Sequence, residues 1–288
     1  VTDLSTPAPT WTRYVAIGDS FTEGLWDVNP DDDARCRGWA DILAVRLSSR
    51  RTAAGVDPLE YANLAIRGRL LGPILTDQLP TALALEPNLV SLVGGGNDIL
   101  RPTIDVDHLA DRLEAAVVEL RASGADVLLS TGMNPVDSAL MRRTRHRVGI
   151  FNSYVWSIAR RHDAQVLDLW GMQSLRDWRM WSEDRIHLTT EGHARVAQAA
   201  LVGLGLEPDD AAWDDPLTPL PPVPRLEKAM SDAVWLREHV YPWATRRLRH
   251  RSSGDLRTPK RPELGPVEGP FAGPTPVDGG SRATGSAG

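Results

Sequence analysis

The stretch Tyr14-Val15-Ala16-Ile17-Gly18-Asp19-Ser20-Phe21-Thr22-Glu23-Gly24 is an apolar run that stops at a Gly, an Asp and a Ser, with a second Gly closing it. A strand covered on both faces of a parallel sheet needs such an unbroken apolar run. Gly18 and Gly24 permit a tight turn at the strand's carboxyl end, which is where open α/β sheets place their ligands. A serine on that turn is a candidate nucleophile. It is equally a candidate helix N-cap, because Ser and Thr accept a backbone N–H bond there. The rest of the chain has to decide between the two.

Outward from this turn, apolar segments alternate with helical periodicities. Residues 38–51 carry Trp39, Ile42, Leu43 and Leu47 at helical spacing. Residues 58–66 read as a second strand and residues 70–85 as a helix. Residues 87–93 read as a third strand, apolar on both parities and running into Gly94-Gly95-Gly96-Asn97-Asp98. A helix over 106–123 stopped by Gly124, a strand over 127–130, a helix over 139–162 and a strand over 165–170 follow. Thr189 is the expected N-cap of a last helix within 185–206. Strands alternating with helices predict a three-layer α/β domain over about residues 13–206, its parallel sheet covered on both faces.

Beyond it the composition changes. Residues 207–224 form a proline-rich connector. Residues 225–251 read as a basic helical segment with Trp235 and Trp243, broken near Pro242. Tryptophan with arginine on one helix suits a membrane surface, but packing back onto the domain is the plainer expectation. Residues 252–288 are Gly, Pro and small polar side chains, with too little apolar surface to offset ordering entropy, and are expected to be disordered.

The 288-residue chain is 42% hydrophobic, enough for a sizeable core, and its net charge of −6 offers no general attraction to nucleic acid. One cysteine, Cys36, excludes an intramolecular disulfide. No apolar run approaches the roughly 20 residues of a membrane span, and the first twelve residues lack the pattern of a secretory signal. A cytoplasmic location is the default expectation. The acidic run Asp31-Asp32-Asp33 lacks the alternate spacing of a calcium loop and reads as a solvated turn, so no metal is expected. The arginines 142, 143, 145 and 147 read as a solvated helix face rather than a phosphate site.

Three strand ends and one late loop carry the chemistry. They supply Ser20, Gly68, Asn97 and the pair Asp184 and His187, three residues apart. Carboxyl ends of adjacent parallel strands converge. Serine needs a base within hydrogen-bond reach, and His187 can take its proton while Asp184 fixes the ring tautomer. The backbone N–H groups of Ser20 and Gly68 and the side-chain amide of Asn97 can serve as oxyanion donors. Taken singly, Gly68 is also a turn glycine, Asn97 a residue tolerant of left-handed geometry, and Asp184–His187 a local turn contact.

These residues resemble the SGNH hydrolases, the GDSL esterase/lipase superfamily. The matching blocks are Gly18-Asp19-Ser20, Gly68 after Asn63-Leu64-Ala65-Ile66-Arg67, Gly95-Gly96-Asn97-Asp98, and Asp184-Arg185-Ile186-His187. Gly38-Trp39-Ala40-Asp41 looks like a bacterial, particularly actinobacterial, subgroup. The resemblance implies a flavodoxin-like sheet of about five parallel strands. It also implies Ser20 as nucleophile, His187 as base, Asp184 as third triad member, and Gly68 and Asn97 as oxyanion donors, with no cofactor.

The expectation is a serine ester hydrolase acting on a small soluble acyl ester, such as a sugar acetate or short-chain ester. Trp26 and Trp181, close in sequence to Ser20 and the triad pair, are candidate pocket walls. Two rivals stand beside it: a lipid acyl hydrolase or thioesterase docking on a membrane through the C-terminal helix, and a binding protein on an esterase scaffold.

Overall fold

The computed structural model describes residues 9–29, 32–134, 141–221, 223–241 and 254–267. The opening stretch forms β1 (Arg13–Gly18) and a one-turn helix α1 (Ser20–Glu23). A short antiparallel pair, β2 (Val28–Asn29) and β3 (Asp32–Cys36), follows where composition suggests only a loop. Next come α2 (Trp39–Ala53) and β4 (Glu60–Asn63). The region 71–84 is helical but broken into α3 (Leu71–Pro73), a wider π-type turn (Ile74–Gln78) and α4 (Leu79–Ala84). Then follow β5 (Leu89–Val93), α5 (Gly96–Ile99), α6 (Val106–Ala122), β6 (Asp126–Ser130), α7 (Arg145–His162), β7 (Gln165–Leu167) and α8 (Thr190–Gly203). Thr189 caps α8, accepting from the Gly192 N–H.

The main sheet has the order β7-β6-β5-β1-β4-β8. Its first five strands are parallel, with β1 central between β4 and β5. Tyr14, Val15, Ala16 and Ile17 are wholly buried, which is why both parities of β1 are apolar. On one face Val15 and Ile17 pack with Leu71, Leu113, Val117, Phe151 and Val155; on the other Tyr14 and Ala16 pack with Trp39, Leu43, Leu47, Val196 and Leu201. Chain order reverses between β1 and β5. In a doubly wound sheet this switch point opens a crevice at the strands' carboxyl ends.

The C-terminal expectation needs correcting in part. Part of the tail expected to be disordered forms β8 (Arg261–Pro266), antiparallel to β4. The apolar-surface argument fails because the segment is held largely by other means, with Leu264 and Val267 adding a small apolar contact to the core. It extends a backbone ladder on the β4 edge, where Pro262 and Pro266 are tolerated. Lys260 is also driven into the body, donating to the carbonyls of Glu23 at 2.6 Å and Cys36 at 2.9 Å and to the Asp41 carboxylate. Within the expected helix 225–251, α9 (Arg225–Trp235) continues as a π-type turn (Leu236–Val240). Asp31, residues 135–140, Trp243 with the arginines at 246, 247, 249 and 251, and residues 268–288 lie outside the described residues. Among the described residues no helix is long and apolar enough to cross a membrane.

Candidate active site

The turn after β1 settles what Ser20 does locally. Asp19, not Ser20, is the N-cap of α1, its Oδ1 accepting the Phe21 N–H at 3.0 Å. Ser20 is the first helical residue, so its hydroxyl is not spent on capping. Gly18 permits the turn by close approach: a Cβ there would lie 2.6 Å from Thr22 Oγ1 and 2.7 Å from the Val93 carbonyl. Gly24 ends α1 at φ 85°, in the left-handed region.

His187 arrives from the far end of the sequence. Its loop leaves β7, makes two short turns, and folds back on itself: Trp181 bridges Leu188, and the Ser182 N–H donates to the His187 carbonyl at 2.8 Å. This places His187 Nε2 2.9 Å from Ser20 Oγ and Nδ1 2.6 Å from Asp184 Oδ2. The carboxylate requires the hydrogen on Nδ1, so Nε2 accepts the serine hydroxyl. Asp184 Oδ1 also accepts the N–H groups of Ile186 and His187, each at 3.0 Å, and the Ser182 hydroxyl at 2.7 Å. Burial would raise the Asp184 pKa, but the bond to His187, its charge and these backbone donors outweigh burial and hold it well below the usual carboxylate range. The carboxylate stays ionised, able to orient and charge-stabilise the imidazole.

The other two strand ends are tied to the same turn. Asn97 Nδ2 donates to Asp19 Oδ2 and to the Arg69 carbonyl, both at 3.0 Å. One side chain therefore links the β1 turn, the loop after β4 and the start of α5. Gly68 sits in that loop at φ 73°, close in sequence to Ile66, whose N–H donates to the Gly18 carbonyl at 3.2 Å. It does not line the cavity onto which Ser20 opens.

Ser20, Asn97 and His187 open onto a cavity of about 220 Å³. Its walls are mainly apolar, with Phe21, Met133, Val148, Phe151, Leu175 and Trp181 among them. Trp181 is in the wall, anchored by its indole N–H on the Leu175 carbonyl at 2.8 Å. Trp26 is not: it lies after α1 at φ 77° with its side chain half exposed. The contributions of α7 carried no functional signal in the sequence, because a helix face that lines a cavity has the periodicity of one that packs.

His193 also borders the cavity, one helical turn into α8. It is almost wholly buried, and its Nδ1 accepts the Trp39 N–H at 3.2 Å. Burial foremost, with the charges of Lys260 and His187, pushes its pKa down to about 3. It remains a neutral imidazole beside that of His187.

A family model for the GDSL-like lipase/acylhydrolase family matches residues 16–195, more than half of the chain. The chain belongs to this family. Its members' chemistry makes it a carboxylic ester hydrolase of the SGNH type, as the four sequence blocks imply. Solved structures share the fold. A variant of Axe2, an acetyl xylan esterase from Geobacillus stearothermophilus, is 19% identical, covers 69% of this chain and 97% of its own, and superposes with a TM-score of 0.58. LAE5, an alpha/beta hydrolase enzyme from the metagenome of Lake Arreo, Spain, is 20% identical over 67% of this chain and 95% of its own, with a TM-score of 0.56. TesA is 23% identical over 67% of this chain and 97% of its own, with a TM-score of 0.52. No curated protein sequence matches the chain.

Proposed function

We propose that this hydrolase uses Ser20 as nucleophile, His187 as general base and Asp184 as the group that orients it, on esters whose acyl chain is longer than acetyl. The observation that carries this is the unbroken hydrogen-bonded chain Ser20–His187–Asp184 at the mouth of an apolar cavity. Attack by Ser20 Oγ on the acyl carbonyl transfers its proton to His187 Nε2. The imidazolium then protonates the leaving alkoxide, and water activated by the same nitrogen releases the acid. The Ser20 and Gly68 N–H groups and the Asn97 amide are the proposed oxyanion donors. Variants of the Axe2 esterase described as catalytic mutants replace an aspartate, a histidine and a serine, which supports the same three roles here.

The acyl preference follows from volume. An apolar cavity of roughly 150 Å³ already holds benzene, so about 220 Å³ is more than an acetyl group fills. This moves the reading away from sugar acetates and toward butyrate and longer chains. A lipid ester presented at a membrane is the second reading, favoured by the exposed Met230, Val234 and Tyr241 on the C-terminal helix.

The test is Ser20→Ala assayed on a series of p-nitrophenyl esters. The variant should fold as the parent does and lose at least about a thousandfold in kcat. Retained turnover would refute the serine mechanism. A parent enzyme that prefers acetate to butyrate and hexanoate would refute the acyl reading.

A further inference from the structure

Over residues 230–238, α9 and the turn that follows it meet the body of the protein through one narrow face. Among residues 230–238, Asp232 and Trp235 alone are not exposed. Three residues apart, they share one side of the helix. Both land on the catalytic loop. The Trp235 indole N–H donates to the Asp184 carbonyl at 2.8 Å. The Arg185 guanidinium donates to the Asp232 carboxylate at 2.5 Å and to the Ser231 hydroxyl at 3.0 Å. The same guanidinium lies against two indoles, 5.1 Å from the Trp235 ring centre and 5.8 Å from that of Trp178.

Arg185 is a residue that needs holding. It sits at φ 57°, in the left-handed region that L residues other than glycine enter at a cost. That conformation turns the chain so that the N–H groups of Ile186 and His187 both reach Asp184 Oδ1. Relaxation of Arg185 would withdraw those two donors and pull His187 Nδ1 from Asp184 Oδ2. The base would then lose its orientation toward Ser20.

We propose that α9, which lies beyond the family-matched residues 16–195, is a positioning element of the active site, in which Trp235 and Asp232 lock Arg185 and thereby fix the Asp184–His187 geometry. Neither residue touches reacting atoms. Trp235 acts through the Asp184 carbonyl and Asp232 through the Arg185 guanidinium. The inference rests on the reading of His187 as the base.

The experiment compares the full chain with its Trp235→Ala, Trp235→Phe and Asp232→Ala variants on p-nitrophenyl butyrate. It follows thermal unfolding and the downfield proton resonance of the His187–Asp184 hydrogen bond alongside kcat and KM. Trp235→Ala should lower kcat by about tenfold to a hundredfold, the scale expected when a catalytic group is displaced by a fraction of an ångström. KM should stay within about twofold, and the downfield resonance should broaden at an unchanged thermal midpoint. Trp235→Phe keeps an aromatic face but not the N–H donor, so it should recover part of the loss. Unchanged kcat in Trp235→Ala would overturn the inference. So would a rise in KM alone with the resonance intact, since α9 would then be a substrate wall. If Trp235→Ala does not fold, Arg185→Lys, which keeps the charge and loses the planar stack, must show the same fall in kcat, and full activity there overturns it. Failure of the hydrolase reading looks different: activity would survive Ser20→Ala.

Discussion

Asn97 donates one side-chain amide hydrogen to the Asp19 carboxylate and the other to the Arg69 carbonyl, both at 3.0 Å. The proposed oxyanion donor is therefore fully engaged before substrate arrives, and its partner is the residue preceding Ser20. Burial foremost, reinforced by the charges of Asp98 and Glu23, pushes the Asp19 pKa up to about 6 against the opposing Phe21 N–H and His187 charge. Asp19 thus organises two elements at once. It caps α1 so that Ser20 faces the cleft, and it fixes the plane of the Asn97 amide.

If that amide turns one hydrogen to the tetrahedral oxyanion, its removal should be felt in the chemical step. Asn97→Ala should lower kcat on p-nitrophenyl butyrate by about a hundredfold or more, with little change in KM. The ground-state carbonyl gains less from the donor than the developing oxyanion does. Steady-state kinetics on the variant check this; a KM effect alone would place Asn97 in substrate binding instead.

Asp19 and His193 predict opposite pH dependences of stability. The folded pKa of Asp19 is raised, so its contribution is full below about 3.8 and is lost as pH rises through about 6. The folded pKa of His193 is lowered to about 3 from 6.5, so its contribution is full above about 6.5 and is lost as pH falls. At about 1.4 kcal/mol per unit, each changes by roughly 2 kcal/mol across the pH 4–6 overlap, and the two largely cancel. Urea denaturation at pH 4.5 and 7 should show Asp19→Asn losing more stability on acidification than the parent. His193→Gln should lose less.

These features differ in how far sequence alone reveals them. The parallel strands are legible because burial on both faces forces both parities of Tyr14–Ile17 and Leu89–Leu92 to be apolar. The Ser20, Asp184 and His187 set stands out in the sequence because a serine at a strand end and an Asp–His pair on one late loop suit a chemistry that few other arrangements need. The cap is not: Asp19 and Ser20 are adjacent and both suit an N-cap, so only the backbone decides. Trp26 and Trp181 are equally close in sequence to the site, but the turn at Trp26 directs its ring outward. Strand β8 escapes a composition argument because its anchors are mostly polar: a backbone ladder, Lys260, and Arg261 bonded to the Tyr61 carbonyl and laid over its ring. The lock on Arg185 escapes it because its partners lie 47 and 51 residues from the catalytic loop.

The lysine anchor gives a prediction for stability. Lys260 is nearly buried, and its ammonium satisfies two carbonyls and the Asp41 carboxylate. Lys260→Met keeps the stem but leaves the carboxylate and both carbonyls without their cation. The cost should be about 3 kcal/mol, the lower end for breaking a buried pair. Thermal unfolding should show one cooperative transition at a lower midpoint, because β8 is part of the same sheet as β1.

The cavity gives the prediction closest to biology. Burying one methylene is worth about 0.8 kcal/mol, or nearly fourfold in kcat/KM, for as long as the chain finds apolar wall. The parent should therefore climb by that factor per carbon beyond acetate and level off where the cavity is full. Val148 projects from α7 into the cavity and is 8% exposed, so a larger side chain there consumes the space an acyl tail would occupy. Val148→Trp should cost about 1–3 kcal/mol in stability through overpacking. It should also cut kcat/KM for hexanoate far more than for acetate, inverting the series. A uniform loss across chain lengths would show that the acyl group does not enter this cavity, because a filled cavity can penalise only the atoms that would have occupied it.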